Sequence, residues 1–342
     1  MRDFFKRKGI EPTFHNYIIN TLSYMALGLF SSLIIGLIME TIGSQMLGFG
    51  VPGSAVLIKM GETAMSLSGP AIGVAVAYGL GAPRLVLFAA VISGASGGEL
   101  AGPVGSFLAA LISTEIGKMV SKETKIDIIV TPLVTIIAGV GSAMLIGPPI
   151  ASAVTQFGLF IMWATEQQPF MMGILVAVFM GLALTAPISS AAIAIMLGLE
   201  GIAAGAATVG CASQMIGFAS SSFRENGWSG LLALGIGTSM LQIANVLKNP
   251  YILIPPTVTA AILGPLSTMV FYMENNDAGA GMGTSGFVGQ IMTIRTMGTD
   301  ISVLISILLL HFLLPAILSF ILSEWLRKTN RIKYGDMTID KS

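Results

Sequence analysis

Nine windows of the chain contain no Asp, Glu, Lys or Arg: 12–39, 41–58, 63–83, 128–165, 167–199, 201–223, 226–247, 249–273 and 301–323. Each is 18 residues or longer, and a helix needs about 20 apolar residues to cross the ~30 Å hydrocarbon core of a bilayer. A soluble fold cannot hide that much uncharged sequence. The windows therefore predict an all-α polytopic membrane protein with about ten to twelve membrane segments. The window 128–165 is long enough for two short crossings, and Gly147-Pro148-Pro149 predicts a helix break inside it.

Composition closes the other classes. Charged residues are 10% of the 342, against ~25% in an ordinary soluble domain. Lys and Arg total 17 and balance 17 Asp and Glu, so no basic excess exists to hold nucleic acid. One cysteine, Cys211, excludes a disulfide scaffold. Gly117-Lys118 is followed by Met119, so no phosphate-binding loop of the ATPase kind is present. No His, Cys and acidic spacing suits a metal, and the residues call for no cofactor and no catalytic constellation.

Basic residues set the expected orientation. Arg2, Lys6, Arg7 and Lys8 precede the first apolar run, and Arg327, Lys328, Arg331 and Lys333 follow the last. Both termini are thus expected in the cytoplasm, as is the Lys118, Lys122 and Lys125 cluster. Trp163, Trp228 and Trp325 fall near segment ends, where an interfacial belt places them.

A shift of 117 residues lays 70–97 over 187–214 with nine of 28 positions identical, among them Pro70/Pro187, Gly81/Gly198 and Ser96/Ser213. At a shift of 124, 128–135 lies over 252–259 with Pro132 and Pro256 in register. This predicts one membrane domain with a cytoplasmic tail 1–16, a first repeat 56–166, a second repeat 170–325 and a second tail 326–342. Five crossings in the first repeat would invert the second, an arrangement that places transporter sites between repeats near the midplane.

Three stretches are poor helix formers within the apolar body: 93–103, 212–222 and 275–286. Irregular backbone at membrane depth is tolerated only where it is buried in protein or lines a watery cavity. The polar residues there, Ser96, Glu99, Ser213, Gln214, Asn275, Asp277 and Thr284, are the candidate substrate-binding residues. Their expected role is hydrogen bonding, with Glu99 also a candidate proton carrier. The blander readings are helix packing for the serines, an interfacial loop for Glu99 and capping for Asn275, Asn276 and Asp277. His311 reads as a packed side chain in the last apolar run, and Cys211 as a small buried hydrophobe.

The basic tail, the stretch Gly94-Ala95-Ser96-Gly97-Gly98-Glu99-Leu100-Ala101-Gly102-Pro103, the repeat and the Asn276-Asp277-Ala278-Gly279-Ala280-Gly281-Met282-Gly283-Thr284-Ser285-Gly286 loop together carry a resemblance. The chain resembles the phosphotransferase-system enzyme IIC-like membrane family that includes the perfringolysin O regulator-like proteins. That resemblance implies a sugar-permease subunit of a bacterial plasma membrane, a homodimer, not catalytic by itself. Separate IIA and IIB proteins would relay phosphate from phosphoenolpyruvate to the sugar. The chain departs from many sugar permeases in lacking a Gly-Ile-Thr-Glu loop, and it carries no fused IIA or IIB domain. Two alternatives stay open at this stage: an ion- or proton-coupled transporter independent of phosphate relay, with Glu99 or Asp277 as coupling acid, and a membrane sensor that signals through a partner.

Overall fold

The computed structural model describes residues 2–339. Among these the chain is helical with no strand, apart from an isolated bridge between Gly201 and Asn275. Helix is the expected answer to an apolar solvent, because it satisfies backbone groups within one segment. The chain divides into two units, Met1–Ala153 and Val154–Ser342.

The first unit begins with a short helix α1 (Arg2–Arg7) and a long apolar helix α2 (His15–Gly48). Next come α3 (Ser54–Ser66), α4 (Ser68–Gly79) and α5 (Arg84–Val120). Small residues let these helices touch backbone to backbone. A Cβ on Gly61 would lie 2.5 Å from the carbonyl oxygen of Gly36, and one on Gly73 would lie 2.3 Å from that of Ala90. Close approach of this kind drives helix association where hydrophobic burial offers no preference.

α6 (Asp127–Thr165) contains the junction between the units. The break expected at Gly147-Pro148-Pro149 does not occur: a single helix runs through all three. The two prolines remove only the donors that would have served the carbonyls of Met144 and Leu145 four residues back, while the helical bonds on either side persist. Ile128, Leu133, Ile137, Met144 and Leu145 are all exposed, Leu145 by 79%. An apolar face of that extent fits hydrocarbon rather than water.

The second unit continues with α7 (Pro169–Thr185), α8 (Ser190–Leu197), α9 (Gly201–Ser221) and α10 (Phe223–Leu232). α10 runs on as a π-turn to Gly237, and Thr238 then takes an extended conformation. After it come α11 (Ile243–Lys248), α12 (Pro250–Met269), α13 (Asp277–Ala280), α14 (Val288–Met297) and α15 (Ile301–Lys328). The core of this unit is α9, whose Ala204, Ala206, Ala207, Cys211 and Met215 are fully buried.

Six described helices are long and apolar enough to cross a membrane: α2, α5, α6, α9, α12 and α15. α7 is apolar but shorter. The remaining uncharged sequence is spent on broken pieces, which is why the charge-free windows outnumber the long helices. The poor helix formers of 212–221 are nonetheless helical, with the interruption postponed to Ser222 and Gly227. The 275–286 stretch is irregular as expected, and α14 after it has 10 residues, ~15 Å, too short to cross by itself.

Candidate functional site

In the first unit two interrupted helices meet around one cavity. The first interruption is Leu67 (φ −94°, ψ 12°), between α3 and α4. The second lies inside α5, at Ala101 (φ −150°, ψ 25°) and Gly102 (φ 61°, ψ −153°). The Gly102 conformation is open in practice only to glycine, and the ring of Pro103 then restarts the helix. A cavity of about 470 Å³ lies between these breaks, lined by Ser66, Ser68, Gly69, Pro70, Gly98, Glu99, Gly102, Pro103 and Ser106 among others. The starts of α4 and of the second half of α5 both lie at its wall. Helix starts present unpaired amides and the positive end of the dipole.

Glu99 is exposed at this cavity, and its carboxylate has no hydrogen bond or ion pair with any described residue. Ser106 is buried and donates to the Gly94 carbonyl at 2.8 Å, which leaves its lone pairs available to accept. Ser66 donates to the Thr63 carbonyl at 2.8 Å. An anionic acceptor and hydroxyls in a partly apolar cavity suit a small polyhydroxylated ligand. Ser96 sits on the same helix, half-buried, outside the cavity lining.

The candidates of the second unit form a different object. Ser213 donates to the Val209 carbonyl of its own helix at 2.8 Å. Gln214 donates to Thr257 Oγ1 at 3.0 Å and accepts from Thr185 at 3.3 Å, and Thr185 lies 2.8 Å from Ser239 Oγ. Asn275 Nδ2 reaches Thr208 Oγ1, the Gly289 carbonyl and Thr293 Oγ1 at 2.8, 3.0 and 3.1 Å. Thr284 donates to the Gly235 carbonyl at 2.5 Å. Asn276 caps the start of α13 by accepting from the Gly279 amide at 3.1 Å, and Asp277, partly buried, is the first residue of that helix and accepts from the Ala278 amide at 2.8 Å. The Asn275–Thr208 bond and the contact of Thr284 with Met215 sulfur tie the 275–287 segment onto α9. His311, buried, shares a 3.0 Å hydrogen bond with Gln290.

Of the seven candidates, Glu99 lines the cavity between the Leu67 and Gly102 breaks. Sequence reasoning missed Ser66, Ser68 and Ser106. The 117-residue shift that pairs Pro70 with Pro187 also pairs Ser68 with Thr185, which puts a hydroxyl two residues before each proline, although Ser68 opens α4 and Thr185 closes α7. Among the described residues no group of His, Cys, Asp and Glu could hold a metal ion.

A second cavity of about 430 Å³ lies at the other end of α5, lined by Arg7, Lys8, Lys118, Lys122 and Glu123. Lys118 is buried and spends its ammonium on the Gly9 and Leu80 carbonyls and on Glu115, at 2.6, 3.0 and 3.0 Å. Glu123 pairs with Arg7 and Lys8, and the hydrogen bond from Lys8 holds its carboxyl below the ordinary range.

The family model for "Phosphotransferase system, EIIC" matches residues 19–339. The chain belongs to that EIIC family. The match covers α2 through α15 and thus includes both broken helices of the first unit. No curated protein matches the chain. As an EIIC protein it is a membrane-embedded permease subunit of a phosphotransferase system, and membership implies a sugar substrate and IIA and IIB partners.

Proposed function

We propose that this EIIC protein binds its sugar in the cavity between the Leu67 and Gly102 breaks, with Glu99 accepting hydrogen bonds from sugar hydroxyls. The observation that carries this reading is the unpartnered Glu99 carboxylate at a cavity walled by two helix interruptions. Discontinuous helices with their termini at a ligand recur among transporters, because half-helix ends supply fixed polar groups without side chains. Ser68 and Ser106 add a hydroxyl each. The sugar would then pass inward for phosphorylation by a separate IIB protein, with both termini of the carrier in the cytoplasm and two copies forming the working unit. The residues around Gly81 and Gly198 would be related positions of an inverted repeat. Both glycines are left-handed (φ 66° and 59°) and lie within two residues of the end of a helix, α4 for Gly81 and α8 for Gly198.

The test is thermal stability of the purified protein against a panel of sugars and polyols. A ligand that binds only the folded state raises stability by mass action. A sugar-specific rise that disappears in Glu99→Gln supports the site. A rise of equal size in Glu99→Gln moves the sugar elsewhere. The same lone carboxylate also suits a proton-coupled carrier; uptake that needs no IIB protein and loses its pH dependence in Glu99→Gln would favour that second reading.

A further inference from the structure

The Gly102 break has a counterpart in the second unit. Gly227, inside α10, adopts φ 59° and ψ −153°, the same rare backbone as Gly102 at φ 61° and ψ −153°. Around Gly102 there is a cavity. Around Gly227 the chain's own C-terminal segment is seated. Asn226 Nδ2 donates to the Met337 carbonyl at 2.8 Å, and its Oδ1 accepts from the Ile339 amide at 2.8 Å. Gln242 donates to the same Met337 carbonyl at 2.8 Å, and Asn245 donates to the Thr338 carbonyl at 2.8 Å. The side chain of Met337 is completely buried.

We propose that Asn226, Gln242 and Asn245 form a second binding site for a polyhydroxylated solute, occupied in this state by residues 331–339, so that solute and segment compete for it. The inference rests on the reading of the chain as a sugar carrier. Carboxamides both donate and accept, which is how they hold peptide carbonyls and amides here and how they would hold hydroxyls. Asn226, Gln242 and Asn245 are buried beneath the segment. If the segment lifts, they must find other partners, since a buried polar group left unpaired is costly. Residues 331–339 belong to no helix, so the segment can lift without unwinding one. Being tethered, it acts at high effective concentration, so the site answers to solute only when solute is abundant or the segment is drawn away.

The experiment isolates this site by silencing the first. In the Glu99→Gln background, the chain ending at Asn330 is compared with the full-length chain by thermal stability against glucose, fructose, galactose and mannitol. The expected result is a sugar response in the shortened chain, at least ~tenfold more sensitive than in the full-length one and lost on adding Asn226→Ala. If Glu99→Gln removes every response from both lengths while the wild type still responds, the second site is overturned and the first stands. If no form responds to any of the four, both fall. Should the shortened chain not fold, a full-length Met337→Cys, Cys211→Ala variant is labelled with a maleimide. Sugar that speeds labelling supports competition; sugar that stabilises the protein and leaves the labelling rate unchanged overturns it.

Discussion

A Cβ on Gly97 would lie 2.2 Å from the carbonyl oxygen of Gly105, and a Cβ on Gly105 would lie 2.1 Å from that of Gly97. The two halves of α5 thus fold against each other backbone to backbone across the Gly102 break. No side chain stands between them that could yield. Gly105→Ala must therefore push the two halves apart, and overpacking of a tight contact costs about 1–3 kcal/mol. The expected outcome is a lowered thermal midpoint together with lost ligand response, because the same movement deforms the cavity. Gly102→Ala should destabilise by a comparable amount for a different reason, since alanine has no comfortable conformation at φ 61°, ψ −153°. Thermal denaturation of both variants checks this; a Gly105→Ala protein with wild-type stability would contradict the close contact.

Asn275 anchors the loop that follows α12. Its amide nitrogen serves Thr208, Gly289 and Thr293, its backbone N–H donates to the Gly201 carbonyl, and its Oδ1 accepts from the Asn276 amide. Asn275→Ala takes one bond each from Thr208, Gly289 and Thr293, which keep others, and removes the acceptor of the Asn276 amide. The expected loss is about 3 kcal/mol, read as a lower melting temperature. Thr284→Val should cost less, because it breaks the single bond to Gly235 and one contact with Met215 sulfur.

The charge-free windows made the membrane class legible, since the absence of charge over a bilayer's width admits few other folds. The Gly-Pro pair at 102–103 marked its own break, because glycine permits the mirror-image backbone and proline restarts the helix. The Pro148-Pro149 pair gave the opposite outcome with the same letters. Local chemistry says that a helix is weakened there, and the rest of the segment decides whether it ends. Ser213, Gln214, Asn275 and Thr284 were visible as polar residues in apolar sequence. Whether such a residue faces a ligand or a neighbouring carbonyl depends on where Gly235, Thr257 and Gly289 arrive, and that is set by tertiary packing. Glu99 and Asp277 were indistinguishable in sequence for the same reason.

Those two acids should now separate. Asp277 accepts from the neighbouring Ala278 amide in the first turn of a short helix that Asn276 caps, so Asp277→Asn should lower stability slightly and leave ligand affinity unchanged. Glu99 has no partner to lose among the described residues, so Glu99→Gln should leave the melting temperature without ligand near its starting value. Ligand affinity should fall at least ~tenfold, the equivalent of one hydrogen bond to a charged group. Titrating sugar into each variant gives both numbers. An affinity loss in Asp277→Asn equal to that in Glu99→Gln would place the site in the wrong unit.

The clasp between the N-terminal segment and the end of α5 should respond to acid. Lys8 and Arg7 both pair with Glu123, and the Lys8 hydrogen bond lowers the Glu123 pKa from its ordinary 4.5. A carboxylate with a depressed folded-state pKa adds stability that is complete above 4.5 and is lost as pH falls through the lower folded value. Glu123→Gln removes the titrating group and with it this component of the acid dependence. The expected result is that wild-type and variant melting curves converge as pH falls below 4.5 and differ most near neutrality. Salt should shrink the difference at neutral pH, because Glu123 and Arg7 are exposed to solvent. Melting temperatures across that range, at low and high salt, measure both effects. A wild-type advantage that persists unchanged at low pH would mean that Glu123 acts through its shape and not through its charge.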